Sequence, residues 1–176
     1  ASGGLTDGSF APKPGNQLHL EAELGVRLGT SLPPRASADE ALESIDCFAP
    51  AIELVDFSLP RETLEEITAH SFFHAASWVG TGGATLGPLG PEFPIVRRNG
   101  EVVASGDPTR ALSDPTPIVQ GVAALLERYD ERLEGGDWIL CGSLIEPISA
   151  EPQAFFSIDF GSLGKLELQI EAQSKA

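Results

Sequence analysis

Residues 18–28 read Leu-His-Leu-Glu-Ala-Glu-Leu-Gly-Val-Arg-Leu, and the alternation is strict. Leu18, Leu20, Ala22, Leu24, Val26 and Leu28 fall on one side; His19, Glu21, Glu23, Gly25 and Arg27 fall on the other. A period of two is the signature of a strand, here one with a buried face and a polar face. Glu21 and Glu23 therefore leave the same face, about 7 Å apart along the backbone at ~3.3 Å per residue. On its own, Glu-Ala-Glu is the polar side of a half-exposed strand.

A third acidic residue draws attention for the opposite reason. Glu53 sits inside the apolar run Pro50-Ala51-Ile52-Glu53-Leu54-Val55, and a glutamate in such a run is rarely buried unless paired or coordinated. Two carboxylates ~4 Å apart repel by about 4 kcal/mol at an effective dielectric near 20. A hard divalent cation removes that cost directly and prefers oxygen ligands.

Other segments carry local signals. Residues 1–17 are rich in Gly, Pro, Ser and Asp and are expected to form a loop, with a single domain over residues 18–176. Ser37-Ala38-Asp39-Glu40 is a capping box opening a helix to about Phe48. Residues 49–57 are expected as a buried strand, Ser58-Leu59-Pro60 as the start of a second helix, and residues 71–79 as another strand. Residues 80–94 are read as loop. Asn99-Gly100 between apolar arms predicts a hairpin with a type I′ turn. Asp114-Pro115 is expected to cap the longest helix, with Ile118, Val122, Leu125, Leu126, Tyr129 and Leu133 as its apolar stripe and Gly135-Gly136 as its end; Asp107 is read as a turn residue. Residues 138–141 predict a short strand, and 155–160 with 165–170 a closing hairpin. The sum is an α+β chain, many strands with three peripheral helices.

The 176 residues suffice for one domain with a real core. A net charge of -15 argues against nucleic acid and against an anionic membrane surface. No apolar run approaches a membrane span. Cys47 and Cys141 are too few and too far apart for a disulfide framework and are expected as free thiols in a reducing, cytoplasmic compartment. The chain opens on Ala1 and holds no Met, so initiator removal or further upstream sequence is expected.

Four segments together resemble the fumarylacetoacetate hydrolase superfamily, in its 2-keto-4-pentenoate hydratase and 4-oxalocrotonate decarboxylase-like branch. Residues 20–29 resemble that branch's Glu-x-Glu strand. Ala51-Ile52-Glu53-Leu54-Val55-Asp56 is similar to the strand that gives a third acidic ligand. Residues 98–106 resemble its central hairpin, and Gly135 through Leu144 its Gly-Asp…Gly-Ser-Leu segment. The resemblance implies a mixed β-roll or barrel-like sandwich with peripheral helices, and Mg²⁺ or Mn²⁺ held by Glu21, Glu23 and Glu53. The metal would chelate the oxo and carboxylate oxygens of a 2-oxo or 2-hydroxydienoate acid and stabilise the enolate. Gly142, Ser143 and Leu144 would line the substrate.

The chain also departs from that pattern. The resemblance begins near Gly4, so the family's N-terminal lysine has no counterpart. Asp56-Phe57-Ser58 stands where Asp-Ser-Arg is usual, and Thr68-Ala69-His70 where Ala-Asp-Asn is usual. His70 or His74 is the available acid-base substitute, since imidazole titrates near neutrality. The expected function is hydratase-like lyase chemistry on a small 2-oxo acid. The alternatives are a decarboxylase or tautomerase on the same scaffold, or a catalytically reduced partner subunit. A homo-oligomer is expected, or a hetero-complex with a related hydratase or decarboxylase.

Overall fold

The computed structural model describes residues 7–60, 62–83, 94–106 and 114–173. The expected N-terminal loop over 1–6, most of the 80–94 loop and the turn at Asp107 lie outside these residues.

The long alternating segment is a strand, β2 (Leu18–Leu28). It pairs antiparallel along its whole length with β3 (Ile45–Asp56), and β4 (His74–Val79) adds to the far side of β3. On its other edge β2 meets β7 (Trp138–Ser143) and the two-residue β8 (Ile148–Ser149). The second sheet follows the order β1 (Asp7–Phe10), β10 (Lys165–Ile170), β9 (Phe155–Asp159), β5 (Ile95–Arg98), β6 (Glu101–Ser105). Every pairing is antiparallel except β1 with β10, which makes that sheet mixed.

The apolar face of β2 serves two cores. Leu18, Leu20 and Ala22, with Ile52 and Leu54, pack against Phe156, Ile158, Leu166 and Leu168 of the other sheet. Leu24, Val26 and Leu28, with Phe48, pack under α1 (Ala38–Ser44) and α3 (Thr116–Leu126). The architecture is the expected α+β one: two open sheets sharing a core, with few helices, α1 and α3 packed at one end. β2 is thus clamped at both ends, and its polar face becomes a rigid platform.

The local expectations hold with five corrections, one being that the strand expected over 71–79 begins only at His74, behind a left-handed turn at Ser71–Phe73. The Ser37–Glu40 capping box is present, and Asn99 (φ 52°) with Gly100 (φ 89°) makes the hairpin turn. Residues 7–10 are a strand rather than loop, because their partner is the remote β10. The first helix stops at Ser44; Ile45 and Phe48 are buried by β3, since β2 needs a partner of its own length. The second helix, α2 (Leu64–Ala69), starts later than Pro60, where a second capping box joins Thr63 and Glu66. Finally, α3 buries Thr116, Val119 and Ala123, while Leu125 and Tyr129 are exposed, and it ends through Asp130 (φ 57°) rather than at Gly135. Asp114 does serve its start, its Oδ1 accepting from the Thr116 N–H at 2.9 Å.

Candidate metal centre

Strand register brings the glutamates together. Glu21 lies directly opposite Glu53 in the β2–β3 ladder, and directly opposed side chains share a face. Glu23, two residues along, lies opposite the small Ala51 on one side and Ser143 on the other. One carboxylate oxygen from each of Glu21, Glu23 and Glu53 lies within 4.8 Å of the others. Glu23 is buried, at 3% exposure, while Glu21 and Glu53 are half-buried toward the mouth.

Two neighbours fix these carboxylates. The Gly142 N–H donates to Glu23 Oε2 at 3.0 Å. Gly142 takes a φ of 94°, a conformation that favours glycine, so the backbone can turn its N–H at the carboxylate. On the other side, His74 Nδ1 lies 2.6 Å from Glu53 Oε1.

Burial first, and then the negative charge of Glu53, push the Glu23 carboxyl up to about 8. The Gly142 N–H pulls the other way, while a hydrogen bond with Glu53 and the charge of Glu21 add to the rise. With no cation present, Glu23 holds a proton at neutral pH. The half-buried Cys141 thiol beside it is pushed up to about 12, by burial first and then by the Glu23 charge, and stays a thiol. Neither Cys47 nor Cys141 forms a disulfide. Three convergent carboxylates with nothing softer among them fit a hard divalent cation, which would take the place of the Glu23 proton.

The remaining expected residues separate by position. The Ser143 hydroxyl donates to the Ile145 carbonyl at 2.9 Å, at the rim beside Glu23. Leu144 donates its N–H to the Ala22 carbonyl at 2.8 Å and packs its side chain on both cores, so it anchors the strand end. His70 closes α2 through its backbone, its N–H donating to the Glu66 carbonyl at 3.0 Å; no hydrogen bond or ion pair ties its ring to any described residue. Asp56 ties residues 16–17 to the end of β3, accepting from Asn16, from the Gln17 N–H at 2.9 Å and from the Ser58 N–H at 3.0 Å.

Sequence reasoning passed over His19. It shares the polar face with Glu21 and Glu23, and its ring packs on Phe57 at 4.6 Å, with Phe73 set edge-on to Phe57 at 5.7 Å. Alternation alone places it on that face; only its packing on Phe57 was not legible from the sequence.

The chain is similar to several known proteins. The chain is 27% identical over 161 residues to the 2-oxo-hept-4-ene-1,7-dioate hydratase of Escherichia coli, covering 84% of this chain and 59% of that protein. It is 26% identical to a 4-oxalocrotonate decarboxylase of Pseudomonas sp, covering 84% and 58%. The chain thus spans under two thirds of the length of these relatives. Among solved structures, the fold resembles 4-oxalocrotonate decarboxylase from Pseudomonas putida G7 complexed with magnesium and adipate, with a TM-score of 0.74 at 22% identity over 88% of this chain and 60% of that one. It also resembles fumarylpyruvate hydrolase from Pseudomonas aeruginosa in complex with Mn²⁺ and pyruvate, with a TM-score of 0.69 at 15% identity over 95% of this chain and 71% of that one. Residues 6–171 match the fumarylacetoacetate hydrolase C-terminal family. With nearly the whole chain matched, this protein belongs to that family.

Proposed function

We propose that Glu21, Glu23 and Glu53 hold Mg²⁺ or Mn²⁺, and that the chain is the metal-binding part of an enzyme acting on a small 2-oxo or 2-hydroxydienoate acid by hydratase-like chemistry. The observation that carries this reading is the convergence of three carboxylate oxygens around a buried Glu23. The names of the relatives support the substrate class. A cation held there supplies Lewis-acid polarisation of the substrate's 2-oxo group.

The chain's own residues do the rest. Gly142 fixes the innermost carboxylate, and β7 covers that end of the site. Gly142 and Ser143 form the rim against which the substrate's oxygens would lie. Of the two candidate histidines, His74 stands at the site. With Nδ1 donating to Glu53, its Nε2 is the atom proposed to carry a proton to or from the substrate. His70 is left as the weaker candidate. Decarboxylation or tautomerisation uses the same enolate step and is the alternative within this reading. A catalytically reduced subunit that only binds is the other, and assembly into a homo-oligomer belongs to the same proposal.

The test is binding of oxalate or pyruvate with and without Mg²⁺. Mg²⁺-dependent binding is expected; no binding at millimolar ligand, or binding indifferent to Mg²⁺, overturns the reading. Added 2-hydroxydienoate then reports water addition or tautomerisation by loss of its ultraviolet absorbance, while a 2-oxo acid with a second carboxylate β or vinylogous to the ketone, whose C–C electrons can pass into the enolate, reports decarboxylation by release of CO₂.

A further inference from the structure

We infer that His74 is a positioning residue for the metal centre, holding Glu53 Oε1 so that the carboxylate presents its other oxygen to the cation. The inference rests on the metal reading above and concerns what sets the affinity of that site.

The backbone is arranged to deliver this side chain. In the β3–β4 ladder Glu53 pairs with Ser77 and Leu54 with Ala76. An unbroken ladder would then set Ala75 opposite Val55. Instead the register slips by one residue and His74 stands opposite Val55. Side chains alternate faces along a strand, so a regular β4 would send His74 to the same side as Ala76, away from the carboxylates. The bulge moves it onto the face of Glu53. Ala75, displaced from that position, packs against the sandwich core.

The entry to the strand agrees. Ser71, Phe72 and Phe73 have φ values of 49°, 55° and 70°, three successive left-handed residues without a glycine. Such a run turns the chain sharply just before His74, and it seats Phe73 edge-on against Phe57. The turn and the bulge together aim one imidazole at one carboxylate.

The chemistry of the contact is specific. A 2.6 Å approach of Nδ1 to Oε1 is a hydrogen bond in which Nδ1–H donates. It engages Oε1 of Glu53, so that Oε2 would be the oxygen offered to a cation. Without it, a glutamate side chain at a half-open mouth samples several rotamers, and the oriented one must be selected on binding. Groups that orient metal ligands in this way typically change metal affinity by roughly 10–100-fold when removed.

Mn²⁺ affinity, read by calorimetry on the full chain, tests this without reference to turnover. His74→Ala is expected to weaken Mn²⁺ binding by roughly 10–100-fold. His74→Asn, whose amide N–H can reach the place of Nδ1, is expected to recover most of the loss. Thermal melts without metal check that both variants fold, as expected for a side chain 42% exposed. An Ala variant that binds as tightly as wild type overturns the inference, and so does an Asn variant no better than Ala. A wild type that binds no Mn²⁺ removes the metal reading itself, a result distinct from either.

Discussion

Glu23 is the residue on which the proposed metal centre turns, because it is ionisable and almost wholly removed from water. Its carboxyl is raised from 4.5 to about 8, so between these values the folded chain holds a proton that the unfolded chain has lost. The stability this group contributes is therefore fully present below 4.5 and is lost as the pH rises through about 8. Without metal, the melting temperature of the wild type should fall across that window more steeply than that of Glu23→Gln, which cannot titrate. Parallel slopes would show that Glu23 is not the stored proton. Mn²⁺ affinity should rise over the same window, since the proton must leave for the ion to enter. That Glu21 and Glu23 share a face was legible from spacing, and Glu53 drew attention as a charge in an apolar run; their convergence, the basis of the proposed ligand set, is what the fold adds. Which of them is buried was not, because alternation along β2 does not reveal that β7 covers the Glu23 end while Glu21 lies nearer the mouth. The contact of His74 with Glu53 was likewise hidden, since it depends on a one-residue slip in β4.

At the scale of elements, α3 shows how local pattern and tertiary packing part company. Ile118, Val122, Leu125 and Tyr129 form a plausible helical stripe, yet the helix rotates to put Val119 and the small Ala123 at its closest approach to the core, leaving the larger residues to flank or protrude. Val119→Ala should cost about 1–3 kcal/mol, whereas Leu125→Ala should stay within about 0.5 kcal/mol. Urea midpoints decide it; a larger loss at Leu125 would restore the sequence-based face. The same contest explains the end of α1. Ile45 and Phe48 satisfy a helical spacing with Ala41, but β3 must match an eleven-residue β2, and the strand wins. Strand β1 escaped notice because its partner lies at the far end of the chain. Signals that are local and chemically specific were read correctly, as at Ser37–Glu40 and Asn99-Gly100.

Across the whole molecule, one strand links stability to the proposed chemistry. One face of β2 holds two cores together, and the other carries His19, Glu21 and Glu23. Replacing a glutamate therefore leaves the packing of that strand intact, which separates loss of metal from loss of fold. Glu53→Ala leaves the apolar face of β2 untouched and should therefore still fold without metal, which a thermal melt checks. The direct test of the account is a Mn²⁺ titration of the wild type and of Glu53→Ala near pH 8. The account predicts tight binding to the wild type and a larger loss in the variant than the roughly 10–100-fold expected when only an orienting partner is removed. Equal affinity in the two proteins would contradict it.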